Sequence, residues 1–142
     1  MALSAGARLL AVDVGTKRVG IARADPLHLF AQAHGTYGPE EALDELEAIA
    51  DADGIETLVV GWPLTEAGEE GEATEMVDAY IERVQERLPE VPIVRTDERL
   101  TSEMAKDALR RAGVKQPGRY DKGRVDAAAA ALILQSYLDA EG

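Results

Sequence analysis

The stretch RLLAVDVGTKRVGIARA, residues 8–24, decides the architecture. Residues 8–14 are an apolar run that carries one acid, Asp13, just before its end. Gly15, Thr16, Lys17 and Arg18 follow, and VGIARA at 19–24 resumes the apolar pattern. Two extended segments joined by four turn-forming residues predict an antiparallel hairpin.

Working outward, a third strand is expected near 28–36. Pro39 then precedes EEALDELEAIAD, where Leu43, Leu46, Ile49 and Ala50 recur at helical spacing. TLVVG at 57–61 is short and uniformly apolar, as a strand buried on both faces of a parallel sheet must be. The segment 62–74, with Gly68 and Gly71, reads as a mobile surface loop able to close over a bound strand. A helix over 72–88 follows, with Met76, Tyr80, Ile81, Val84 and Leu88 on one face. PIVRT at 92–96 is a further strand. TSEMAKDALRRAG at 101–113 is a helix that Thr101 or Ser102 can cap and Gly113 can end. KQPGRYDKGR at 115–124 is a basic loop, and a last helix spans 123–139. A hairpin followed by alternating helices and strands implies an α/β domain, with a mixed sheet of about five strands flanked by helices. With 142 residues and no internal repeat, the whole of 1–142 is expected to be one domain.

Composition narrows the chemistry. There is no cysteine, which excludes disulfides, thiolate-bound zinc and a thiol nucleophile. His28 and His34 are the only histidines. Any metal would need oxygen ligands, which favours Mg2+ or Mn2+. The N-terminus lacks a signal-peptide pattern, and no run reaches the roughly 18 to 20 apolar residues of a membrane span. A cytoplasmic protein with no membrane partner is expected.

The net charge of −12 argues against nucleic acid until its distribution is mapped. Residues 40–90 hold 17 acidic and 2 basic side chains, whereas 99–124 hold 8 basic and 3 acidic ones. The acidic middle reads as a solvated surface suited to high salt or as a face for a partner. The basic residues Arg99, Arg110, Arg111, Lys115, Arg119, Lys122 and Arg124 gather in the C-terminal third, and Lys17 and Arg18 adjoin Asp13. These nine are the candidate phosphate contacts, although they could also simply balance the acidic segment.

Three positions carry the candidate chemistry. Asp13 sits late in an apolar strand, where an acid is costly unless paired or metal-bound. An acid of the Asp97-Glu98 pair follows the strand PIVRT, at the end where α/β folds place their sites. Asp126 precedes an almost wholly apolar helical stretch. Each alone also reads as an ordinary turn or helix-start acid. Together they lie at the ends of three elements that the topology brings to one sheet edge. Two divalent ions about 4 Å apart need such a set, one preparing water and one stabilising the leaving oxygen. Without metal the three would repel and partly protonate. Spacing does not separate Asp97 from Glu98.

The stretches LLAVDVGTKRVGIARAD (9–25), VVGWPL (59–64), VRTDERLTS (94–102) and VDAAAAALILQSYLD (125–139) resemble the YqgF/RuvX family. That family is described both as Holliday-junction-resolvase-like proteins and as pre-16S rRNA nucleases. The resemblance runs from about Arg8 to Asp139. It implies a ribonuclease H-like fold, catalytic and metal-holding acids at Asp13, Glu98 and Asp126, and a role in maturing the 5′ end of 16S rRNA during ribosome biogenesis. It thereby selects Glu98 over Asp97. Trp62 and Thr65 stand where the family often has Leu and Asn, and Arg23-Ala24 replaces a more typical Val-Ser. None of these touches the three acids.

The expected activity is therefore metal-dependent phosphodiester hydrolysis on pre-rRNA, by a monomer or a homodimer, with ribosome-assembly components as further partners. A Holliday-junction resolvase acting on branched DNA and a non-catalytic rRNA-binding assembly factor are the alternatives. The actin-like sugar kinases share a DVGT-like phosphate loop, but they need two such domains, and the chain is too short for that.

Overall fold

The computed structural model describes residues 7–65, 67–97 and 122–141, and in the last helix the side chains of 126–140. Among the described residues five strands make one sheet: β1 (Arg8–Val14), β2 (Val19–Ala24), β3 (Ala31–Tyr37), β4 (Ile55–Trp62) and β5 (Ile93–Asp97). Their order is β3-β2-β1-β4-β5. β1, β4 and β5 run parallel, while β2 runs antiparallel to β1 and to β3. The expected mixed sheet with a hairpin start is the one observed. Its hairpin turns through Gly15–Arg18, closed by the Gly15 N–H donating to the Arg18 carbonyl at 2.8 Å.

Helices α1 (Pro39–Ala52) and α2 (Glu72–Arg87) cross over on one face, and α3 (Lys122–Glu141) covers the other. The two faces follow from strand alternation. Leu10, Val12 and Val14 of β1 join Val19 and Ile21 of β2 and Leu58 and Val60 of β4 under α1 and α2. Leu9, Ala11, Ala22, Ala24 and Val59 lie against α3. Asp13 and Gly20 therefore belong to the α3 face. The TLVVG segment lies between two parallel neighbours, as its apolar character requires.

Some boundaries differ from the sequence expectation, each for a local reason. β3 starts at Ala31 rather than near 28, because Asp25 folds the chain before it. The Asp25 carboxylate accepts the N–H groups of Leu27 (2.9 Å), Leu29 (2.9 Å) and Phe30 (2.6 Å). These bonds, that of Phe30 above all, hold its carboxyl below the ordinary value. Pro39 does not stand before α1 but opens it, where its missing N–H costs nothing. The loop expected over 62–74 is shortened at both ends. Trp62 ends β4, Thr65 bonds Glu69 through backbone (2.9 Å) and side chain (3.1 Å), and α2 begins at Glu72. The helix expected over 101–113 and the basic loop at 115–121 lie outside the described residues.

Tyr80 links the two crossover helices. Its hydroxyl donates to the Pro39 carbonyl at 2.8 Å, and burial pushes its pKa up to about 12. Among the described residues, no helix is long and apolar enough to cross a membrane.

Candidate active site at the carboxyl edge of the sheet

Parallel β1, β4 and β5 end on the same edge of the sheet, and β2 begins there. Asp13 is the penultimate residue of β1 and pairs directly with Gly20 of β2. Gly20 has no side chain because α3 leaves no room for one. A Cβ there would stand 2.3 Å from the Asp126 carbonyl oxygen and 2.9 Å from the Ala127 nitrogen. The first part of α3 thus lies directly on the strand residue that adjoins Asp13. Asp13 and Asp126 come to one edge, where the sequence reading puts them, and the fold sets them on one face of it.

Asp126 is already engaged. Arg18 Nε donates to its Oδ2 at 3.0 Å, with the two side chains 39% and 26% exposed. The expected phosphate contact Arg18 is therefore a partner of an expected metal ligand. Lys17, next to it in the turn, is exposed.

The third acid comes from β5, and alternation bears on which residue it is. Ile93 packs on the α1/α2 core, and Arg95 bonds Asp78 of α2 at 2.8 Å. Asp97, two residues further along the strand and opposite Trp62, shares that face and not the face of Asp13. Glu98 lies outside the described residues, as do Arg99, Arg110, Arg111, Lys115 and Arg119. Lys122 and Arg124 lie in the first turn of α3, with their side chains outside the description. Among the described residues, no three His, Asp or Glu side chains form a metal cluster. The two described members of the expected triad are hard oxygen donors on one face, one of them bonded by Arg18, a donor set that suits Mg2+ or Mn2+.

The sequence reading missed two features. One is Gly20, although a glycine inside a strand signals close backbone approach. The other is a recess of about 410 Å3 on the α2 side of the same edge, lined by Trp62, Glu70, Thr74, Glu75, Asp78 and Arg95. There the Arg95 guanidinium lies 4.9 Å from the centre of the Trp62 ring, and the indole N–H donates to Glu70 at 3.3 Å. Arg23, the other departure from the family pattern, donates to His34 Nδ1 at 3.4 Å, and His34 Nε2 in turn bonds Glu45 at 2.6 Å.

Comparison with known proteins places these features in a family. The family model RuvX, described as Holliday junction resolvase, matches residues 7–140. A protein of Salinibacter ruber is 68% identical, the match covering 99% of this chain and 98% of that one. One of Chlorobaculum tepidum is 41% identical, covering 98% of each. Both carry the name "Putative pre-16S rRNA nuclease". Among solved structures, Thermus thermophilus RuvC in complex with a Holliday junction substrate aligns with a TM-score of 0.52 at 16% identity, over 96% of both chains. At that identity the likeness speaks for the fold, which is ribonuclease H-like.

Proposed function

The chain belongs to the RuvX family, and from that premise we propose that it is a divalent-metal-dependent nuclease that processes the 5′ end of pre-16S rRNA. Membership makes it a phosphodiester hydrolase acting on nucleic acid. The rRNA substrate is supported by the shared name of its relatives. The observation that carries the proposal is the meeting of Asp13 and Asp126 across Gly20 at the carboxyl edge.

In this reading Asp13, Glu98 and Asp126 hold Mg2+ or Mn2+. Supporting Glu98 over Asp97 is the alternation of β5, which turns Asp97 toward α2. Bound there, two divalent ions would activate the attacking water and stabilise the leaving oxygen. Lys17, Arg18, Arg99, Arg110, Arg111, Lys115, Arg119, Lys122 and Arg124 steer and hold the phosphate backbone, so affinity falls as salt rises. Most of the acidic 40–90 segment lies on the α1 and α2 side, across the sheet from Asp13 and Asp126. A single domain over 1–142 in the cytoplasm completes the proposal.

The family description favours a second reading, resolution of branched DNA, which needs a dimer presenting two sites. Precursor 16S rRNA and a four-way DNA junction, each incubated with and without Mn2+, separate the two. We expect Mn2+-dependent cleavage of the RNA, reduced to background by Asp13→Asn in a variant that retains its fold. Symmetric nicking of the junction alone would favour the resolvase. Unchanged cleavage by folded Asp13→Asn would remove Asp13 from the site.

A further inference from the structure

Arg18 and Asp126 are each fixed through the backbone. The Arg18 carbonyl closes the hairpin turn, and the next residue, Val19, is fully buried. The Asp126 carbonyl rests on Gly20. Only the side chains can rearrange, and they meet at 3.0 Å through Asp126 Oδ2. A guanidinium and a divalent ion brought to one carboxylate repel each other and compete for its lone pairs, so metal uptake at Asp126 works against the Arg18 pair.

We propose that Arg18 is the resident counter-ion of Asp126, a positioning residue that holds this carboxylate in the metal-free protein and exchanges it for a divalent cation. The inference rests on the reading of Asp126 as a metal ligand. The ion pair offsets the charge of Asp126 until metal arrives. Exchange then frees a guanidinium beside Lys17, at the mouth of the site. There its fork of N–H donors matches a phosphate better than a second lysine would. The charge that guards the empty site becomes a charge for the substrate.

A pair this exposed is weak, so its displacement lowers metal affinity only modestly. The test is calorimetric titration of Mn2+ into the full-length protein without nucleic acid, with circular dichroism melts to verify folding. Arg18→Met, which keeps the aliphatic stem, should bind Mn2+ about two- to five-fold more tightly than wild type. Arg18→Lys should restore most of the wild-type weakness. In about 1 M KCl, where the screening length is near 3 Å, the gap between wild type and Arg18→Met should close. In an Asp126→Asn background, Arg18→Met should change nothing.

Equal or weaker Mn2+ binding by folded Arg18→Met overturns the exchange, because it makes Arg18 a structural prop for the ligand. The underlying reading fails separately. If Asp126→Asn binds Mn2+ as wild type does, or wild type binds none, Asp126 is no metal ligand whatever Arg18 does.

Discussion

Under α1 and α2 the sheet is covered by Leu10, Val12, Ile21, Leu43, Leu46, Leu58 and Ile81, all at most 2% exposed. On the α3 side the layer mixes Ala11, Ala22, Ala24 and Ala130 with Leu9, Val59, Ile133, Leu134 and Leu138. Large branched side chains hold a helix away from a sheet and bury much apolar area. Alanine and glycine bury little and let backbone meet backbone. The first face therefore buries more of the large side chains. The second supplies proximity, and it is the second that carries Asp13 and Asp126.

Truncating a side chain on the first face should break stability and spare the site. Leu46 is fully buried between α1 and the sheet. Leu46→Ala should cost about 2–5 kcal/mol, read as a lower midpoint in urea denaturation. Mn2+ affinity per folded molecule should be unchanged. A matching loss of Mn2+ affinity would show that the two faces are not separate.

The converse experiment adds one methyl to the second face. Gly20→Ala places a Cβ 2.3 Å from the Asp126 carbonyl oxygen, a backbone atom that cannot swing aside. Overpacking of this kind costs about 1–3 kcal/mol. Here it should also shift the start of α3 and with it Asp126, lowering Mn2+ affinity by about 10- to 100-fold, the range seen when ligand supports are removed. Gly71→Ala, where nothing lies within 4 Å of the added Cβ, is the matched control and should leave Mn2+ affinity unaltered. A Gly20→Ala protein with wild-type Mn2+ binding would break the link between close packing and the site.

The same contrast explains what the sequence could disclose. The first face was legible because branched residues at helical and strand spacing are visible in a single chain: Leu43 and Leu46 in α1, Tyr80, Ile81 and Val84 in α2, TLVVG in β4. The hairpin was legible for the same reason, and it placed Asp13 at the correct edge. What was not legible depends on tertiary distance. Nothing local marks Gly20 as the residue on which Asp126 rests, or Arg18 as the partner of an acid 108 positions away. Spacing does not separate Asp97 from Glu98; the resemblance favours Glu98, and the face of Asp97 follows only from the fold, where Arg95 of the same face bonds Asp78. The late start of β3 escaped because an Asx-type turn around Asp25 looks, in sequence, like the continuation of a strand.

The smallest effect should appear where the first face meets solvent. Residues 40–90 carry 17 acids, and their 2 bases, Arg83 and Arg87, both bind acids of α1. Arg87 alone engages Glu40 at 3.1 Å, Asp44 at 2.6 Å and Glu47, and the bonds from Asp44 and Glu47 raise its pKa above the ordinary arginine value. Arg87→Met leaves three carboxylates facing one another, yet these groups reach water, so the loss should be smaller than either loss above. Its signature is its salt dependence. The melting temperature of Arg87→Met should trail wild type most at about 0.1 M KCl and approach it by about 2 M, as repulsion is screened. The deficit of Gly20→Ala, which is steric, should persist across that range. Parallel salt curves for the two variants would mean that the acidic face exerts no net repulsion and that its charge is inert to the stability of the fold beneath it.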